Sequence, residues 1–219
     1  MDRITDAFAW PTRDPEWLAK LLIIGLTLLI PIVGSINGLG WMLASLDRLR
    51  AGDERLAPAN LRYIARGFPL FVVDLVYGLV VAAIAAAVYV PALIVASDQS
   101  HGSANPALIS LAIALSLLAF SIATLGSLAL NFIMPSIILA TDRGRISGGL
   151  HARAVLRHSR ANIANTLIAG LMLIAAGFIG SLGLVACGIG VLFTTAYALA
   201  MQAWVVRSFE IGSPATTAA

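Results

Sequence analysis

The sequence predicts an all-α integral membrane protein, a multi-pass bundle of helical hairpins with short amphipathic helices at the membrane surface. Three observations predict it. Residues Thr166 to Val206 run for forty-one positions without a formally charged side chain. The 219-residue chain is 59% hydrophobic and 11% charged, with mean hydropathy +0.92, whereas a soluble domain is about one quarter charged. All but one of the fourteen basic residues are arginines, and they lie between the apolar runs. A net charge of +3 therefore reads as topological, with no nucleic-acid partner implied.

The first segment, Asp2 to Trp10, places Ile4, Ala7, Phe8 and Trp10 on one side of a short surface helix that Pro11 ends. No small-residue cleavage site follows the first apolar run, so no removable signal peptide is expected. Asp14-Pro15-Glu16-Trp17 then reads as a helix start, with Asp14 as N-cap and Pro15 at the first helical position. The apolar stretch 18–46 is interrupted by Pro31, Gly34, Ser35, Asn37, Gly38 and Gly40. It is either one kinked span or, as favoured here, a hairpin with its tip at Gly34 to Gly38.

Arginine placement orients the remaining segments. Arg48, Arg50, Arg55, Arg62 and Arg66 lie before the predicted span 69–96; Arg143, Arg145, Arg153, Arg157 and Arg160 lie after the predicted span 107–140. Both groups should face the cytoplasm, leaving the loop Ser97 to Pro106, which has no Lys or Arg, outside. A final hairpin with arms 166–182 and 184–206 reverses among Gly177, Gly180, Gly183, Gly188 and Gly190, around the lone Cys187, which is read as a packing residue. At about 1.5 Å per residue one helix over this run would overshoot a core of about 30 Å roughly twofold. With the first hairpin also returning inside, both termini and all fourteen basic residues are cytoplasmic, in a prokaryotic plasma membrane.

Two segments read as interfacial helices. Residues 58–67 carry Leu61, Ile64, Ala65 and Phe68 alongside Arg62 and Arg66; residues 147–164 carry Leu150, Ala154, Leu156 and Ile163 among Arg153, Arg157, Arg160, His151 and His158. Anionic lipid headgroups are the partners these arginines suit. Trp10, Trp17, Tyr63, Phe68, Trp204 and Phe209 are expected at the inner interface, and Tyr89 toward the outer one. Residues 1–211 form one membrane domain, followed by a small, polar, disordered tail, 212–219.

Taken together, Asp14-Pro15-Glu16-Trp17, Pro31-Ile32-Val33-Gly34, Gly40-Trp41, Arg50-Ala51-Gly52 and Arg66-Gly67-Phe68 resemble the prokaryotic integral membrane family known as domain of unknown function DUF4013. Pro135, Asp142 and Ala186-Cys187-Gly188-Ile189-Gly190 extend the resemblance into the second half. It implies a membrane fold with hairpins and surface helices, and no catalytic residue.

Polar residues within apolar runs are the remaining candidates. Asp74 is expected to pair with an interfacial arginine such as Arg153 or Arg157, or to be reached by interfacial water; a coupling role is the alternative. Ser35 and Asn37 suit a turn more than a substrate site, and Asn131, four residues before Pro135, suits the carbonyl that the proline leaves free. Thr194, Thr195, Tyr197 and Gln202 could form a polar stripe on the last span, but threonine in a membrane helix usually bonds its own preceding turn. His151 and His158 are too far apart for a shared metal, and no nucleophile–base pair, zinc motif, Walker loop or dinucleotide fingerprint is present. The expectation is a non-enzymatic protein without metal or cofactor that binds or organises lipids or hydrophobic small molecules, or serves as the membrane partner of another protein or of its own copy. The alternative is a small transporter or channel with a polar path through Asn37, Asp74 and Asn131.

Overall fold

In a computed structural model, which describes residues 4–101, 105–184 and 189–213, the chain is all helical among those residues. Two short 3-10 turns, Ile4–Phe8 and Trp10–Arg13, precede α1 (Trp17–Thr27), α2 (Val33–Arg50), α3 (Ile64–His101), α4 (Pro106–Leu150), α5 (Ala152–Ala161), α6 (Ile163–Leu182) and α7 (Ile189–Gly212). Three stretches are long and apolar enough to cross a membrane: 64–98, 106–150 and 163–182. The chain divides into two units, one of residues 1–73 and 131–219 and the other of residues 74–130.

In the larger unit α7 is the central element. Its residues Ala196, Ala198, Ala200, Met201, Ala203, Val205, Val206 and Phe209 are buried, and α1, α2 and α6 pack around it. An apolar helix without a polar face suits that position, because every side meets protein. At the start of α7 the reversal from α6 is tight. A Cβ on Gly183 would lie 2.2 Å from the Gly190 carbonyl carbon, and the Thr194 hydroxyl donates to the Gly180 carbonyl of α6 at 2.7 Å. Cys187 and its neighbours 185–188 lie outside the described residues, as do 102–104 and the residues from 214, the segment expected to form a disordered tail.

The apolar run 18–46 is two helices. Lys20 near the start of α1 and Arg48 near the end of α2 both donate to the Leu56 carbonyl, so the helices run antiparallel. The reversal lies at residues 28–32, earlier than the glycine tip that the sequence suggested. Ile32 has φ +65° and is spanned by a Val33 N–H to Pro31 carbonyl bond of 2.7 Å, the geometry of a γ-turn. Gly34 and Gly38 instead pack inside α2, against Thr27 and Leu28.

No separate helix covers 58–67. Residues 58–59 are irregular, 60–63 form a bend and a turn, and Ile64 to Gly67 are the opening of α3, which passes through Pro69 unbroken. The reason is tertiary, because buried side chains of α2 take the backbone groups a helix would need. Asn37 donates to the Asn60 carbonyl at 2.9 Å and accepts from the Tyr63 N–H at 3.2 Å; the Trp41 indole donates to the Ala57 carbonyl at 2.9 Å. The α2–α3 crossing just beyond is backbone on backbone. A Cβ on Gly67 would stand 1.8 Å from the Ile36 carbonyl oxygen, and one on Gly40 2.1 Å from the Tyr63 carbonyl oxygen.

The aromatic residues near this end hold protein to protein. Trp10 is fully buried beside Trp204, with ring centroids 5.8 Å apart, and the Arg13 guanidinium lies over the Trp204 ring. Trp17 meets Phe193.

The smaller unit has its composition inside out. Ala92, Ala112 and Ala119 are buried, whereas Leu79, Val80, Ile84, Leu93, Ile94, Leu117, Phe120 and Leu125 point outward. Gly126 of α4 packs on Val81 of α3. Small residues at the seam and large apolar ones outside are what a lipid-facing helix pair requires. Ser116 and Ser121 turn their hydroxyls back to carbonyls of their own helix, which hides them from hydrocarbon.

The Gly40–Gly67 crossing leaves no room for a methyl group. Gly67→Ala is expected to destabilise the protein by about 3 kcal/mol or more, read as a lowered thermal midpoint in detergent, whereas Gly78→Ala, which meets nothing within 4 Å, should leave it unchanged.

Candidate functional site

Helix ends of the larger unit converge on one ionic lattice. Arg50, at the end of α2, reaches Asp142 of α4 at 2.6 Å, Glu210 of α7 at 3.0 Å and Asp47 at 3.2 Å. Arg66 of α3 pairs with Asp47 and with Asp142, the latter at 3.2 Å, and Glu210 also receives Arg143 at 3.3 Å and Arg207 at 3.0 Å. Burial works against the charge on Arg50, but the hydrogen bonds and charges of Glu210 and Asp142 outweigh it and hold the guanidinium more firmly protonated than usual. Burial likewise pushes the Glu210 carboxyl up, and the Arg50 hydrogen bond and charge bring it below its ordinary 4.5.

A second hub forms around Asp14, which is 1% exposed. Its carboxylate accepts Lys20 Nζ at 2.7 Å, the Glu16 N–H at 2.8 Å and the Leu56 N–H at 2.9 Å. The residue read as an N-cap thus lies before the helix start at Trp17 and fastens the 51–63 connection to α1. Desolvation raises its pKa, and the Lys20 hydrogen bond with the two amides more than reverses that.

These two hubs, with Arg13 on Asp6 and Glu54 and Arg48 on Asp53, consume the acids. Within the larger unit every described carboxylate, Asp6, Asp14, Glu16, Asp47, Asp53, Glu54, Asp142 and Glu210, is in an ion pair. Arg62, Arg145, Arg153, Arg157 and Arg160 have no carboxylate partner among the described residues. Excess positive charge therefore collects on and around α5.

Helix α5 is set apart by its ends. Arg145, with φ +54° and ψ −148°, breaks α4 before its last residues, and His151 and Asn162 flank α5 with non-helical backbone. Val155 and Ser159 form its buried side; the Ser159 hydroxyl donates to the Ser136 hydroxyl of α4 at 2.8 Å, and the Thr166 hydroxyl to the Ser159 carbonyl at 2.9 Å. Arg153, Arg157 and Arg160 are exposed at helical spacing of four and three residues.

Between α4 and α5 lies a cavity of about 450 Å³. Leu139, Ala140, Ala154, Val155 and Ala161 supply its apolar surface; Ser136, Arg143, Arg157, His158 and Asn162 supply its polar groups. No carboxylate lines it. His158 packs edge-on against Phe209 with centroids 5.7 Å apart, and burial, helped by the Arg143 charge, lowers its pKa. An apolar trough bordered by guanidiniums suits an amphiphile with an anionic end.

The predicted site residues separate into distinct environments. Arg153, Arg157 and Arg160 share α5, and Arg62 is exposed in the 60–63 turn, whereas Arg66 is spent in the ionic lattice. Asn37 is fully buried with its amide committed to the 57–63 backbone, and Ser35 is exposed one turn into α2. Asp74 is exposed on α3 with no ion-pair partner among the described residues of its own unit, and Asn131 is half-buried on α4. Among the described residues no cluster of His, Cys, Asp and Glu could hold a metal ion. Arg143 and His158 of the cavity were not proposed as binding residues from sequence; their joint signal is a basic helix reached two turns after a basic α4 terminus. The ionic lattice had no local signal beyond acids at the ends of apolar runs.

The fold and its lattice define a helical protein with membrane-spanning-type helices and an arginine-rich polar end. Residues 23–189, well over half of the chain, match the family described as Protein of unknown function (DUF4013), and the chain belongs to that family. Asp14 to Trp17 precede the matched region; the Gly40, Arg50, Arg66-Gly67 and Asp142 positions fall within it. No curated protein and no solved structure matches the chain.

Removing Arg50 leaves Asp142, 11% exposed, with Arg66 alone, and Glu210, 17% exposed, with Arg143 and Arg207. Arg50→Ala is expected to cost about 2–3 kcal/mol, between the values for surface and buried pairs, and Arg50→Lys to restore only part of it. Because the carboxyls of Asp14 and Glu210 titrate below their ordinary values of 3.8 and 4.5, their contribution is complete above those values. It is lost as pH falls through the lowered folded-state values. The thermal midpoint should therefore drop below about pH 4, with a shallower acid limb in Glu210→Gln.

Proposed function

We propose that this protein is a non-enzymatic membrane protein that binds anionic lipid through α5 and the α4–α5 cavity. The observation that carries the reading is the charge balance: the acids of the larger unit are used internally, while the arginines of α5 are left without partners. An exposed guanidinium stripe on a short amphipathic helix is complementary to an anionic membrane surface. The basic polar end faces the cytoplasm of a prokaryotic cell, as the arginine distribution favours, and both termini lie on that side. Binding of this kind would give the protein an organising role, with a protein partner or second copy engaging the membrane-facing helices.

The transporter alternative draws less support. A path through Asn37, Asp74 and Asn131 would need the Asn37 amide to be free, and both of its polar atoms are engaged by the 57–63 backbone.

Lipid add-back to delipidated protein tests the reading. A mixture of phosphatidylglycerol and phosphatidic acid should raise the thermal midpoint by about 5 °C at saturation, and phosphatidylcholine should not. The Arg153→Ala, Arg157→Ala, Arg160→Ala triple variant should lose the difference. An equal response to phosphatidylcholine would remove the basis of the proposal.

A further inference from the structure

We infer that the α4–α5 cavity is selective for a lipid with a phosphate monoester headgroup, its phosphate held between Arg143 and Arg157 and its hydrocarbon lying on Leu139, Ala140, Ala154 and Ala161. This rests on the anionic-lipid reading above and specifies its ligand class.

Four features of the cavity point to that headgroup. Donors line the cavity from two sides, Ser136 and Arg143 from α4 and Arg157 from α5. A donor set spread over two helices suits a tetrahedral phosphate with several terminal oxygens better than a planar carboxylate. Second, Ser136 is 2% exposed and its hydroxyl, hydrogen-bonded to that of Ser159 at 2.8 Å, brings a neutral polar group to the cavity wall. A hydroxyl donates to one oxygen while it accepts from another, which suits a phosphate.

Third, the charges are unbalanced in the direction of a dianion. Arg157 has no carboxylate partner, and Arg143 shares Glu210 with Arg50 and Arg207. A phosphate monoester brings about −1.5 to −2 charges and three acceptor oxygens near neutral pH. A diester brings one charge, two free oxygens and a second substituent to house. Fourth, no lining carboxylate is present to receive the ammonium of a zwitterionic headgroup. The apolar wall beside the arginines gives the first carbons of the lipid a surface and distinguishes the site from one for free phosphate.

The test is competitive retention. Full-length protein in neutral detergent is mixed with equimolar phosphatidic acid, phosphatidylglycerol and phosphatidylcholine, and bound lipid is counted by native mass spectrometry. Phosphatidic acid should be retained at one per chain, at least about tenfold over phosphatidylglycerol. Arg157→Ala should lower its retention at least about tenfold while leaving the thermal midpoint of the lipid-free protein in place, because the side chain is exposed and unpaired. Arg55→Ala, 70% exposed and outside the cavity, should bind like the parent protein. Equal retention of phosphatidic acid and phosphatidylglycerol would overturn the headgroup assignment and leave the anionic-lipid reading standing. Retention of no lipid would overturn both. Displacement of phosphatidic acid by inorganic phosphate at equal concentration would show that the hydrocarbon contributes nothing and would overturn the lipid assignment.

Discussion

The Arg50 guanidinium is the constraint on which the rest of the larger unit depends. A cation only 24% exposed, at the end of an apolar helix, is tolerable only if its charge is answered. Beside Asp47 of its own helix, Asp142 and Glu210 answer it from α4 and α7, and those carboxylates must then be carried by helices that end at the same level. Arg66 repeats the requirement from α3. The ends of four helices are thereby brought to one polar surface, although their apolar bodies alone offer little to set register. The same carboxylate, Glu210, holds Arg143 at the edge of the α4–α5 cavity, so the lattice that fixes the bundle also fixes one edge of the proposed binding surface.

The connection between α2 and α3 shows a second economy. Backbone groups from Glu54 to Tyr63 are answered by Trp10, Asp14, Arg48, Ser45, Trp41 and Asn37, one side chain after another. This turns a polar loop into a fixed strap and places Gly67 where α3 can cross α2 at backbone distance. Polar side chains inside apolar sequence thus have a structural use here, which weakens the default that such residues mark a transport path.

Much of the architecture was legible because it is written locally. Long uncharged runs bounded by arginines specify helices, and the glycines around Gly183 mark the reversal between α6 and α7 at which two backbones nearly touch. The amphipathic pattern of α5 was equally plain. What was not legible depends on partners distant in sequence. The 58–67 pattern reads as a helix, but Asn37 and Trp41, some twenty residues earlier, take its first carbonyls and amides. The first reversal was misplaced because glycine and asparagine suggest a turn, whereas Gly34 and Gly38 serve close packing and Ile32 takes the positive φ. Arg62 and Arg66 look alike in sequence; only the positions of Asp47 and Asp142 separate the free one from the paired one. For the same reason Arg143 and His158 emerge as cavity residues only when α5 is folded onto α4.

The central claim is that an anionic lipid occupies the space between α4 and α5. An experimental structure of the protein in a nanodisc of native lipid examines it most directly. The account predicts lipid density in that cavity, with a headgroup in contact with Arg143 and Arg157 and a chain along Leu139 and Ala154. A well-ordered cavity without lipid, with Arg157 paired instead to a carboxylate of the protein, would contradict it.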